Sequence, residues 1–187
     1  MDMSGSFRAA VALCLPRAVI VADHFHVVQH VGKALARVFT RCAATAAGRN
    51  ALKGQRLLFV RAQETLSDEQ AAERAELAGP FPELAAAWSA KEGLRTWYAT
   101  ATAHTAAAGL DAWVAAVERE GPDELRQALS VFQNWRREIL AFFTFLPLRL
   151  SNGFVEGKNN RTKALMRQGY GYRNRRHLRW RILTSVA

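Results

Sequence analysis

The sequence predicts a mixed α/β chain that is mostly α: a short remnant of sheet, a long helical interval and a returning helix with a basic end. Three observations predict it. Apolar residues recur at helical spacing over most of the 187 residues, one β-branched run stands alone among them, and nearly all of the net charge of +10 lies near the C-terminus. Half of the chain is apolar and 22% is charged, enough to bury a sizeable core and unlike a disordered composition. The length fits one domain and at most two.

Over residues 4–15, Phe7, Ala10, Val11 and Cys14 are spaced for a helix, which Pro16 stops. Residues 18–22, Ala-Val-Ile-Val-Ala, are short, apolar and β-branched, and predict a buried strand in the interior of a sheet. Asp23 ends it. From Phe25 the period becomes helical, with Val28, Val31, Leu35, Val38, Phe39 and Cys42 on one face. After Gly48 and Asn50 the chain stays helical almost throughout. Ser67 and Gln70 make a capping box, and Gly79-Pro80-Phe81-Pro82 separates that helix from the next. Pro122 suits a first helical position, followed by Leu125, Leu129, Phe132, Trp135 and Ile139 on one face. A single strand cannot satisfy its own backbone, so its partners are expected outside this sequence and the chain is expected to be a fragment.

The charge is uneven. Residues 149–187 hold ten basic residues and one acid, Glu156, a charge of +9, whereas the preceding 148 residues carry +1. A near-neutral body with a basic end suits a face that meets phosphate; a solvated helix face is the plain alternative. No apolar run approaches the roughly 18 residues of a membrane span. The acidic start and the early Pro16 and Arg17 argue against a signal peptide, and two cysteines do not make a disulfide framework. A cytoplasmic protein is expected.

Three groups of residues carry candidate chemistry. On a helix over residues 152–167, Asn152, Glu156, Asn159, Asn160, Lys163 and Arg167 fall within about 100° of arc, with Phe154 and Leu165 opposite. Gly153 and Gly157 beside Glu156 would let a ligand or backbone approach closely. Taken alone, Glu156 reads more readily as a surface partner of Lys163 or Arg167. Asp23-His24-Phe25-His26 lies where strand gives way to helix, and Asp23 fits an ordinary N-cap there. His26 and His30 share a helix face, but with no metalloprotease Glu and no nearby Cys a structural Asp–His contact outweighs zinc. Residues 169–181 interleave Tyr170, Tyr172 and Trp180 with Arg173, Arg175, Arg176, Arg179 and Arg181. Arginines on phosphates and rings stacked on bases would bind nucleic acid.

Met-Asp-Met-Ser at the start, Pro-Arg-Ala-Val-Ile-Val-Ala-Asp-His-Phe-His-Val-Val after it, and Asn-Gly-Phe-Val-Glu-Gly-Lys-Asn-Asn and Gly-Tyr-Arg-Asn near the end resemble an insertion-sequence DDE transposase of the ISL-three type. The resemblance covers essentially the whole chain. It implies a truncated RNase H-like core over residues 1–26, a helical insertion over 27–150, and a Glu-bearing helix with a basic segment over 151–187. It further implies three acids holding two Mg²⁺ or Mn²⁺ ions for cleavage and transfer of DNA strands. Glu156 matches the third acid and Asp2 the second, with Asp23 the alternative; Asp23 and His26 otherwise match a supporting D-x-x-H motif. Lys158, Lys163, Arg167, Arg173, Arg175, Arg176 and Arg179 would contact DNA at the transposon ends. A homo-oligomer is compatible with this reading and a membrane partner is not. The first acid and the first strands would lie upstream, so the chain is expected to be inactive alone. A non-catalytic, basic helical nucleic-acid-binding module is the alternative function.

Overall fold

The computed structural model describes residues 2–146 and 153–184, with the backbone alone for 154–156. The chain divides into two units, Met1–Leu150 and Ser151–Ala187.

The first unit is built around α2 (His24–Ala44). Its N-terminus forms where the sequence places a cap: the buried Asp23 carboxylate accepts the backbone N–H of Phe25 at 2.9 Å. The helix buries Val27, Val31, Ala34, Leu35, Val38, Phe39 and Cys42, a stripe with the three-and-four spacing of a core-facing side. Preceding it, α1 (Gly5–Cys14) ends just before Pro16, as the sequence requires. Two short helices follow, α3 (Gly48–Ala51) and α4 (Arg56–Val60), then α5 (Asp68–Ala78). The capping box of α5 is present in both directions, between Ser67 and Gln70.

Helix α6 (Pro82–Thr100) starts on a proline and packs along α2. Helix α7 (Ala106–Glu120) closes on α6 through two indoles. Trp113 donates to the carbonyl of Ala90 at 2.8 Å, and Trp97 to that of Ala106 at 3.1 Å. Gly109 permits this approach, since a Cβ there would lie 2.7 Å from Cδ1 of Trp97. Helices α8 (Asp123–Asn134) and α9 (Arg136–Thr144) complete the unit, both packing on α2.

Two sequence expectations need correction. Residues 18–22 are extended but form no strand, because no described residue offers them a ladder. Ala22 is buried and its N–H donates to the carbonyl of Glu138 at 2.9 Å, while Val19 stands in solvent. The described residues are therefore helical without a sheet, and the expected RNase H-like core has no strand among them. The second correction concerns residues 123–139. Pro122 is the N-cap rather than a first helical residue, and the helix breaks at Trp135, whose φ of −117° leaves the helical region. The Trp135 ring is buried, and the Arg8 guanidinium lies 4.3 Å from its centroid while donating to the carbonyl of Asn134. The apolar face survives the break: Leu125, Leu129, Phe132, Trp135 and Ile139 are all buried.

In the second unit, α10 (Gly153–Gln168) and α11 (Arg175–Thr184) are joined by a turn with Tyr170 and Gly171 at positive φ. The Tyr172 ring sits against Gly169, where a Cβ would be 2.5 Å away. Asn174 starts α11, its side chain accepting the N–H of Arg176 at 2.9 Å. No helix of the described residues is long and apolar enough to cross a membrane.

Candidate functional site

The N-terminal segment and the first turn of α2 bring three predicted residues together. His26 lies between two carboxylates, with Nε2 3.4 Å from Oδ1 of Asp2 and Nδ1 3.6 Å from Oδ2 of Asp23. The other Asp23 oxygen, besides capping Phe25, lies 3.6 Å from Nδ1 of His24. Phe25 meets the His26 ring edge-on at a centroid distance of 5.5 Å. The two aspartates differ in what they can offer. Asp23 is 4% exposed and holds the helix start, whereas the Asp2 side chain is 60% exposed. Asp2 is thus the one with oxygen lone pairs open to solvent, and a hard cation prefers such donors. Among the described residues no group of three or more His, Cys, Asp or Glu is placed to hold a metal ion. His30 takes no part in this cluster; burial, with the charges of Lys33 and Arg37, holds its pKa below the ordinary value, and those cations oppose a bound metal.

Glu156 lies on α10 of the second unit, and its side chain falls outside the described residues. Asn152 of the polar stripe falls outside them too. Asn159, Asn160, Lys163 and Arg167 of the same stripe are exposed, and Leu165 on the opposite side is partly buried. Lys158 is half-buried. Arg173, Arg175, Arg176 and Arg179 are exposed, and so are the rings of Tyr170 and Trp180. Tyr172 alone of the three aromatics packs into its own turn. The arrangement offers cations and open π-faces on one short unit, as single-stranded or duplex nucleic acid would require.

Sequence reasoning passed over Arg95, Tyr98 and Phe142, which meet His24 although α6 and α9 lie far from it in sequence. No local pattern marks such residues, because only the packing of α6 and α9 on α2 joins them.

A family model described as a transposase, of the DDE ISL3 group, matches residues 1–182. The chain belongs to the ISL3 family of transposases. A transposase for insertion sequence element IS1001 from Bordetella parapertussis is 28% identical over 186 residues, 95% of this chain. The chain spans 44% of that relative's length. No solved structure matches this ISL3-family chain.

Proposed function

We propose that this chain is the C-terminal part of a transposase that cuts and joins DNA at insertion-sequence ends. The observation that carries the reading is the family match, which runs unbroken through the Asp2, Asp23–His26 and Glu156 segments. In this account Asp2 and Glu156 are two of three metal-binding acids, in a truncated RNase H-like core. Two Mg²⁺ or Mn²⁺ ions, when bound in the complete enzyme, activate the attacking oxygen and stabilise the leaving one at the scissile phosphate.

The chain's own residues do the rest. His26 fixes the Asp2 carboxylate from one side and is itself positioned by Asp23, the kind of outer support that orients a ligating oxygen. Lys158, Lys163, Arg167, Arg173, Arg175, Arg176 and Arg179 hold the DNA backbone, and the exposed Tyr170 and Trp180 rings stack on bases or sugars. The first acid lies outside this sequence, so the chain alone is inactive. A plain binding module would share the basic residues, but it has no use for Glu156 among them.

The test begins with the DNA upstream of the Met1 codon. A continuation in the same or a shifted frame, encoding a further Asp, is expected. The joined protein should then cleave DNA with Mg²⁺ and lose that activity by at least about a thousandfold in Glu156→Gln, as removal of a group essential to the transition state does. Full cleavage by the Glu156→Gln protein would overturn the assignment.

A further inference from the structure

Beside the Asp2–Asp23–His26 cluster lies a cavity of about 550 Å³, of the size that takes a small ligand. Three rings shape it. His24, Tyr98 and Phe142 stand in a triangle, with centroids 5.8 Å apart for His24–Tyr98 and 5.4 Å for each of the other pairs. Val28 and Leu146 add apolar wall, and Arg95 adds a cation.

Two polar atoms in this wall have no hydrogen-bond partner among the described residues: the buried Tyr98 hydroxyl and Nδ1 of His24. A buried hydroxyl without a partner is costly, on the order of 1–3 kcal/mol, and needs an explanation. Burial, with Asp23 as a second cause, holds the Tyr98 phenol far above its ordinary pKa, so it keeps its proton and stays a donor. An apolar cup of aromatic rings with a hydrogen-bonding group in its wall matches a planar heterocycle with a polar edge. The cavity adjoins the candidate site through Asp23, whose two oxygens face His24 and His26 at 3.6 Å each.

We propose that this cavity receives one unstacked nucleobase of a DNA strand bound at the Asp2–Asp23–His26 cluster. The inference rests on the DNA-processing role above. Phe142 and His24 supply stacking faces, Tyr98 reads the edge of the base, and Arg95 meets the adjoining backbone phosphate.

The test uses the full chain and a dye-labelled 20-base-pair DNA hairpin with a three-nucleotide 3′ overhang, read by fluorescence anisotropy. A second hairpin carries three abasic residues in the overhang, and a third is blunt. The base-bearing overhang should bind about tenfold tighter than the abasic one, the size expected for stacking of a single base. Tyr98→Phe should reduce that ratio to about threefold, and Phe142→Leu should bring it close to one, with far-UV circular dichroism confirming the fold. Equal binding of the two overhangs by the wild-type chain overturns the proposal, even if a variant fails to fold, and it would mean that water or another part of a longer protein fills the cavity. An unchanged ratio in folded Tyr98→Phe also overturns it. Binding of the blunt hairpin separates the two readings: if it persists while the overhangs bind alike, the base pocket fails and the DNA-binding role stands. Binding of none of the three overturns both.

Discussion

In the first unit Lys91 rests on three backbone carbonyls, Arg41 reaches Glu83 and Glu124, and Arg136 grips both oxygens of Asp111. In the second unit Lys163, Arg167, Arg175, Arg176 and Arg179 stand in solvent, and one acid accompanies the ten basic residues of 149–187. The same residue types therefore do two jobs. In the body they tie helices together and their charge is cancelled by acids. In the tail the charge is left over, which is what a phosphate backbone needs. The difference also shows in burial: α2 hides seven residues, and α11 hides none.

The largest effect that bears on this contrast is at Lys91. Its ammonium is buried, donates to the carbonyls of Phe59 at 2.9 Å and Arg61 at 2.6 Å, and lies 2.8 Å from Glu92. Lys91→Met should cost about 3–5 kcal/mol in urea melts, because it leaves a buried carboxylate and the end of α4 without their cation. Replacing Arg175, Arg176 and Arg179 together by Gln should cost under about 0.5 kcal/mol by the same assay, as exposed substitutions do. A large loss of stability in the triple variant would break the comparison. For DNA the order reverses: the triple variant should lower the slope of log affinity against log salt by about 2–3, whatever the base sequence.

Smaller effects sharpen it. Gly109→Ala places a Cβ against Trp97 and should destabilise by about 1–3 kcal/mol, although alanine is the better helix former. Asp23→Ala removes the cap of α2 and should cost about 1 kcal/mol, while Asp2→Asn at its exposed position should leave the urea midpoint unchanged. Equal costs at the two positions would contradict the division between a structural and an open carboxylate. The smallest effect is on the acid side. Hydrogen bonds from Arg41 hold the Glu124 carboxyl below the usual range, so its contribution is complete above pH 4.5 and is lost as pH falls through the lowered value. The stability gap between wild type and Glu124→Gln, about 1 kcal/mol at neutral pH, should close below about pH 4.

What could be read from the sequence was local. The cap at Asp23, the box at Ser67 and Gln70, the stop at Pro16 and the apolar stripe of α2 all follow from spacings within a turn or two of helix. Residues 18–22 show the limit: a β-branched run specifies an extended backbone, but a strand also needs a neighbour, and no described residue provides one. The break at Trp135 was equally hidden, since it accompanies an arginine arriving from α1. Lys91 and Glu92 look like surface charges in sequence and become buried only because α4 and α5 cover that side of α6. At the candidate site, the Asp2–His26–Asp23 grouping could be anticipated only through the family pattern, because nothing local joins residue 2 to residue 26. The His24, Tyr98 and Phe142 cup had no pattern at all.

The most direct measurement combines a DNA gel shift with a plasmid-nicking assay on the purified chain in Mg²⁺ or Mn²⁺. The account predicts that the chain retards duplex DNA in a salt-dependent manner and leaves supercoiled plasmid intact, since the acids present do not complete a metal pair. Metal-dependent nicking that disappears in Glu156→Gln would contradict it, and so would a chain that fails to bind DNA at low salt.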